Sequence, residues 1–143
     1  MSSGPEDIRL DPNAEGPFVC VDDDPTDRRI VELAHENAKL PVPLVLCKSG
    51  HEFLALCAKL ADSGQPLPSQ VMMDINMPGL NGIETVARLR EDARFSSVPI
   101  ICMLSSSLDQ VDVARAKEAG ANAYRHKPAG FADFVAMLQE LVG

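Results

Sequence analysis

The sequence lacks an excess of basic residues: 13 lysines and arginines stand against 21 aspartates and glutamates, and the net charge is -8. Proteins that bind nucleic acid neutralise its phosphates with basic side chains, so this charge argues against nucleic acid as a direct partner. The sequence also lacks an apolar run near the ~20 residues that span a bilayer. Its amino terminus has neither the basic start nor the apolar stretch of a secretory signal. We therefore expect a cytoplasmic protein with no membrane partner and a disordered leader over residues 1–16.

Cysteine and histidine are sparse and scattered. The cysteines are Cys20, Cys47, Cys57 and Cys102. None belongs to a CxxC pair and three lie in apolar runs, a pattern typical of buried free thiols in a reducing compartment. The histidines are His35, His51 and His126. Their spacing fits neither a metal site nor a phospho-donor helix, and we expect all three at the surface.

The 143 residues are enough for one domain with a real core, which we place at 17–143. From Phe18 onward, short apolar runs alternate with amphipathic stretches. Strands are predicted over 18–21, 43–47, 71–75, 99–104 and 122–126, and helices over 25–38, 49–61, 81–90, 107–120 and 131–141. Continuous apolar strands separated by helices indicate a parallel sheet covered on both faces. The expected fold class is α/β, a flavodoxin-like (βα)5 doubly wound sheet with strand order 2-1-3-4-5.

Several helix boundaries carry capping signals. Asp24 precedes a proline at the first helical position, so we interpret it as a helix cap and not as a metal ligand. Ser49 and Glu52 have the spacing of a capping box, and Gly120 is typical of a left-handed helix end. The last helix has one apolar face, made of Phe131, Phe134, Val135, Leu138 and Leu141.

Carboxylates follow two strands that the predicted order makes neighbours. Asp22 and Asp23 close the first strand, and Asp74 closes the third. In an open parallel sheet, functional groups collect beyond the carboxyl ends of the strands. Like charges in one pocket repel, so this group needs a cation, and Mg²⁺ is the natural candidate for oxygen ligands.

A hydroxyl and an ammonium follow the remaining strands of that edge. Ser105 comes after the fourth strand, and Lys127 comes after the fifth. Together with a metal they would neutralise and hydrogen-bond a phosphoryl group carried by Asp74, because aspartate can act as a nucleophile. A lone aspartate at a strand end is often only a helix cap, and it is the company of these partners that favours the functional interpretation.

At this point the chain resembles the receiver domain of two-component response regulators. The resemblance covers about residues 18–142 and rests on four segments in the family's order: VDDDPTDRR, DINMPGLNGIE, CMLSSS and GANAYRHKP. The DPTDRR stretch and the long loop before the third strand also resemble stand-alone receivers associated with phytochrome-type kinases.

The resemblance implies a role for each matched residue. Asp74 would be the phospho-acceptor, and the ligands of Mg²⁺ or Mn²⁺ would be Asp22, Asp23, Asp74 and the backbone carbonyl of Asn76. Ser105 would move to the phosphoryl group, and Lys127 would pair with it.

The same resemblance implies a conformational switch and structural residues. Tyr124 would be an aromatic switch that turns inward when Ser105 moves. Pro78, Gly82 and Pro128 would be structural, with a cis bond before Pro128.

The expected function is therefore that of a single-domain response regulator, a phospho-acceptor switch and not an enzyme beyond its own phosphorylation and dephosphorylation. A sensor histidine kinase or histidine phosphotransfer protein would be the donor. An unknown protein target, or a homodimer through helix four, strand five and helix five, would carry the output in trans. Two alternatives stay open: a degenerate receiver that is only an interaction module, and an aspartate-nucleophile phosphatase. The second is weak, because Asn76 stands where such enzymes carry a second aspartate.

Overall fold

Each predicted apolar run forms a strand, and each amphipathic stretch forms a helix. The computed structural model describes residue 10 and residues 13–104 and 110–141. Within them the strands are β1 (Phe18–Val21), β2 (Leu44–Cys47), β3 (Gln70–Asp74), β4 (Ile100–Leu104) and β5 (Ala123–His126). The α-helices are α1 (Pro25–Ala38), α2 (Gly50–Asp62), α3 (Gly82–Arg90), α4 (Gln110–Ala119) and α5 (Phe131–Leu141), with a short 3-10 turn at Ala93–Phe95.

The five strands form one parallel sheet in the order β2-β1-β3-β4-β5, which confirms the predicted flavodoxin-like topology. Helices α1 and α5 pack together on one face, while α2, α3 and α4 follow one another on the other. Both faces are therefore covered, and this explains why β3 is buried at all five positions.

Alternate strand residues feed two apolar clusters, one on each side of the sheet. Val19 and Val21 contribute to the cluster under α2 to α4, whereas Phe18 and Cys20 contribute to the cluster under α1 and α5. This alternation follows from the period of two of a strand. Phe131 departs from the predicted apolar face: it is the first residue of α5, at the end of that face, and it is 44% exposed.

The helix caps agree with the sequence in most details. Asp24 caps α1, because its side chain accepts the Thr26 N–H at 2.8 Å. Ser49 accepts the Glu52 N–H at 3.1 Å, but the Glu52 carboxylate accepts from the Lys48 N–H and not from Ser49. Only half of that predicted capping box therefore forms, since the carboxylate reaches one residue further back.

Gly120 ends α4 with a φ of +109°, and its N–H bonds back to the carbonyls of the preceding turn. A left-handed backbone of this kind favours glycine, as predicted.

The four cysteines are all buried and free, in agreement with the prediction. The surface prediction fails for His35, which is half-buried, stacks on Phe18 with 6.5 Å between ring centroids, and lies 3.0 Å from the Val42 carbonyl through Nε2. Leu10, inside the predicted leader, is buried and donates its N–H to the Leu141 carbonyl at 2.7 Å. No helix among the described residues is long and apolar enough to cross a membrane.

Candidate functional site

Three carboxylates meet where β1 and β3 end. These strands are paired in register, with Val21 opposite Met73, so the residues that follow them emerge side by side. Asp22, Asp23 and Asp74 each offer a carboxylate oxygen, and these oxygens lie within 4.8 Å of one another. Asp22 and Asp74 are buried, while Asp23 is exposed at the rim. We call these three residues the acidic cluster, and its position is the one predicted from the strand ends.

Backbone N–H groups fix the two buried carboxylates. Asp22 Oδ1 accepts from the Asp24 N–H at 2.9 Å, and Asp74 Oδ1 accepts from the Asn76 N–H at 3.1 Å. The Arg28 guanidinium donates to the Asp22 carbonyl at 2.8 Å, which ties α1 to the end of β1. The side chains are thus held in place by the turns that directly follow them.

Gly82 has a packing reason to be glycine. A Cβ at this position would lie 2.3 Å from the Asp74 carbonyl oxygen, and the Gly82 N–H donates to the Ile75 carbonyl at 3.2 Å. The amino terminus of α3 can therefore approach the end of β3 closely only without a side chain, which supports the structural role expected for Gly82. Pro78, the other structural residue of this loop, is exposed.

Lys127 enters the pocket from the end of β5, where its N–H donates to the Leu104 carbonyl at 2.7 Å. Its ammonium contacts three carboxylates: Asp74 Oδ2 at 3.2 Å, Asp22 Oδ2 at 2.9 Å and Asp27 Oδ2 at 2.7 Å. The structure thus brings Lys127 to Asp74, as the sequence predicted. It also adds Asp27, which the sequence reasoning missed. Its position in the first turn of α1, directly after the β1 end, was the available signal.

One lysine does not balance this many carboxylates. Burial raises the pKa of Asp74 above its ordinary value, and the Asn76 N–H and the Lys127 charge offset this only in part. Burial likewise raises the pKa of Asp22, against the Asp24 N–H and Lys127. Burial lowers the pKa of Lys127, but its hydrogen bonds to Asp27 and Asp22 outweigh that effect and raise it overall. The ammonium is strongly held, and the buried carboxylates still lack positive charge.

The acidic cluster fits a hard divalent cation. Its ligands would be carboxylate oxygens, which Mg²⁺ prefers, and three of them lie close enough together to share one ion. The exposed position of Asp23 leaves the cluster open on one side. A bound cation would also supply the positive charge that the raised pKa values of Asp22 and Asp74 call for.

The remaining predicted residues have mixed outcomes. Ser105 belongs to the segment 105–109, which lies outside the described residues. Tyr124 is half-buried on β5, and the Lys117 ammonium lies 5.7 Å from its ring centroid. No cis peptide bond occurs in the described parts of the chain, so the bond before Pro128 is trans. The expected cis bond was therefore wrong. A proline permits the cis form but still leaves the trans form favoured by about 0.5–1 kcal/mol.

Comparison with known proteins agrees with this geometry. The model of the response regulator receiver domain matches residues 18–139. Protein PilH of Pseudomonas aeruginosa is 32% identical over 111 residues, which cover 78% of this chain and 84% of PilH. Response regulator Rcp1 of Synechocystis is 25% identical over 126 residues, or 85% of this chain and 83% of Rcp1.

A solved structure is similar over most of its length. The crystal structure of a response regulator in red light signaling of R. palustris is 31% identical, with a TM-score of 0.73 over 87% of this chain and 90% of that one. The matched span contains all five strands and the acidic cluster. The chain therefore belongs to the response regulator receiver domain family, whose members act in phosphorelay signalling.

Proposed function

We propose that Asp74 is the residue that accepts the phosphoryl group, and that a sensor histidine kinase or a histidine phosphotransfer protein donates it. The observation that carries this proposal is the contact of the Lys127 ammonium with Asp74 inside a pocket that holds two further carboxylates. A buried carboxylate that contacts a lysine and shares an acidic cluster fit for a metal ion can act as a nucleophile toward phosphorus.

The transfer is one displacement. An oxygen of Asp74 forms a bond to phosphorus while the P–N bond of the donor phosphohistidine breaks. The leaving imidazole keeps the electron pair of that bond and takes up a proton from water. Asp74 then carries the phosphoryl group as an acyl phosphate. Negative charge spreads over the peripheral phosphoryl oxygens during this step, and Lys127, 3.2 Å from Asp74 Oδ2, is placed to donate to one of them.

Asp22, Asp23 and Asp74 would hold the Mg²⁺ or Mn²⁺ ion, and the Asn76 carbonyl remains the fourth ligand that the family resemblance implies. When bound, the ion would supply positive charge that stabilises the phosphoryl oxygens. Asp22 and Asp23 act in this scheme as ligands, while Lys127 keeps its own contact with Asp74.

The switch follows from the loss of charge balance when Asp74 becomes a phosphoryl anion. Lys127 shifts toward the phosphoryl group, Ser105 hydrogen-bonds it, and Tyr124 turns inward, as the family resemblance implies. Tyr124 lies at the junction of β5 and α4, under Lys117, so its movement would change the surface of α4, β5 and α5. That surface would bind a target protein or a second copy of the chain, so that the output acts in trans.

The two alternatives have less support. An aspartate-nucleophile phosphatase carries a second aspartate two residues after the nucleophile, and that position is Asn76 here, whose N–H donates to Asp74. A degenerate receiver would not need three carboxylates and a lysine in one pocket. We therefore propose a switch with no catalytic activity beyond its own phosphorylation and dephosphorylation. The buried free cysteines agree with a reducing cytoplasm.

Intact-protein mass spectrometry after incubation with acetyl phosphate and Mg²⁺ tests the proposal. We expect one added phosphoryl group on the wild type and none on Asp74→Asn. A matched control is Asp133→Asn, which makes the same change at an exposed position of α5 and should still accept the group. An equal adduct on Asp74→Asn would overturn the assignment of the acceptor.

A further inference from the structure

The Lys127 ammonium has as many carboxylate partners as it has N–H donors. An ammonium has three N–H donors, and the structure gives it three acidic partners. The shortest of the three contacts is with Asp27, at 2.7 Å, and the longest is with Asp74, at 3.2 Å. The cation assigned to the phosphoryl group is therefore bound most closely by a residue that does not carry that group.

Asp27 differs from the other two partners in its place and exposure. It is the third residue of α1, and its side chain is 25% exposed, against 4% for Asp22 and 7% for Asp74. It does not belong to the acidic cluster that could hold a metal ion. The direct contact that connects Asp27 with the phosphoryl site is therefore the one with Lys127.

We propose that Asp27 is a positioning residue that competes with Asp74 for the Lys127 ammonium and so restrains phosphorylation. This inference rests on the proposed function, because it assumes that Lys127 serves the phosphoryl group on Asp74. In the unphosphorylated protein, Asp27 holds the ammonium toward α1. Transfer of the phosphoryl group requires the ammonium to turn toward Asp74, so the contact with Asp27 must weaken during that step.

The direction of the effect follows from this competition. Neutralising Asp27 removes a charge that attracts Lys127 in the starting state, while the transition state keeps its own attraction for the ammonium. The rate of phosphorylation at saturating Mg²⁺ should then rise. A general loss of negative charge near the pocket acts differently: it weakens the attraction for Mg²⁺ and raises the concentration needed for half-saturation.

The chain offers a matched control for the helix itself. Asp133 is the third residue of α5, as Asp27 is of α1, and its carboxylate is not one of the three that contact Lys127. Asp133→Asn therefore makes the same change of net charge and removes the same kind of first-turn acid. Asp27→Glu keeps the carboxylate and tests rescue.

The experiment measures the rate of phosphoryl addition from acetyl phosphate by intact mass, over a range of Mg²⁺ concentrations, for all four proteins. We expect the maximal rate of Asp27→Asn to rise about three- to fivefold, the scale of one partly exposed ion pair. Asp133→Asn and Asp27→Glu should stay within about twofold of the wild type. Thermal unfolding of each variant verifies that the comparison is made on folded protein.

Failure of this inference can be told apart from failure of the proposed function. If the wild type takes up no phosphoryl group, or if Asp74→Asn takes it up equally, the proposed function fails and this inference fails with it. If the wild type is phosphorylated but Asp27→Asn matches Asp133→Asn, or is slower, only the role of Asp27 is overturned. A change confined to the Mg²⁺ requirement also overturns it, because that result assigns to Asp27 only a background charge.

Discussion

The two ends of the sheet treat a semi-buried cation in opposite ways. At the carboxyl end, Lys127 is surrounded by carboxylates. Near the amino ends of β4 and β5, the described partners of Arg90 are all neutral. Its guanidinium donates to the carbonyls of Gly120, Phe95 and Val98 at 3.1, 2.6 and 2.8 Å, and to Asn122 Oδ1 at 3.0 Å.

This difference distinguishes a structural contact, at Arg90, from the proposed reactive site, at Lys127. The Arg90 guanidinium donates to neutral acceptors from several segments, and burial lowers the pKa of Arg90, with the Cys102 thiol acting in the opposite direction. Because these acceptors are neutral, they do not attract a charged ligand. The carboxyl end has the reverse character, because burial raises the pKa values of Asp22 and Asp74 and a further cation would be favourable there. We infer that one end is built to stay fixed and the other to change its partners.

The largest expected effect is at the fixed end. Arg90→Leu would remove four hydrogen bonds, although the Phe95 carbonyl and Asn122 Oδ1 would keep the Val98 and Ile100 N–H groups as donors, and we expect the free energy of unfolding to fall by about 3 kcal/mol. Arg88→Leu is the matched control, because Arg88 is an exposed arginine on the same helix and should change stability by no more than about 0.5 kcal/mol. Urea denaturation measures both, and equal losses in the two variants would remove the distinction between the ends.

The second effect belongs to the metal site. Mg²⁺ at ten times its dissociation constant should raise the free energy of unfolding of the wild type by about 1.4 kcal/mol. Asp23→Asn, which takes one carboxylate from the acidic cluster, should lose most of that gain, whereas Asp133→Asn should retain it. Titrations followed by thermal unfolding at constant ionic strength test this. A gain that is unchanged in Asp23→Asn would place the ion elsewhere.

The smallest effect concerns pH. The pKa of Asp74 is raised in the folded state above its ordinary value of 3.8. Between these two pKa values the unfolded chain loses the proton before the folded protein does, so the folded protein loses stability as pH rises through this range. Asp74→Asn should therefore be more stable than the wild type at pH 7, because the amide does not have to be ionised in the buried site.

The gain of Asp74→Asn should vanish as pH falls below about 3.8, where Asp74 is protonated in both states. Urea denaturation at a series of pH values in the absence of Mg²⁺ measures it. A variant less stable than the wild type at pH 7 would mean that the contact with Lys127 outweighs the cost of burial.

The sequence was sufficient for those parts of the molecule that depend on local pattern. Strand ends placed Asp22, Asp74 and Lys127 together, because the carboxyl ends of parallel strands meet at one edge. The sequence could not predict which distant groups a long side chain contacts. Arg90 reaches Gly120, which is 30 residues away, and such a contact exists only after α3, α4 and β5 have packed.

Asp27 was missed for a related reason. A first-turn acid is already explained by the helix dipole, so the position of Asp27 after the β1 end did not by itself predict a contact with a lysine from β5. At Phe131 the sequence predicted burial that does not occur. Helical spacing placed Phe131 on the apolar face of α5, but this residue is exposed.

Chemical localisation of the acyl phosphate would identify the acceptor among the three carboxylates that lie within 4.8 Å of one another. The protein would be treated with acetyl phosphate and Mg²⁺ and reduced with borohydride, which converts an aspartyl phosphate to homoserine, and then mapped by peptide mass spectrometry. We expect homoserine at position 74 alone, and only when Mg²⁺ was present. Reduction at Asp22 or Asp23, or labelling that does not depend on the metal, would contradict this expectation.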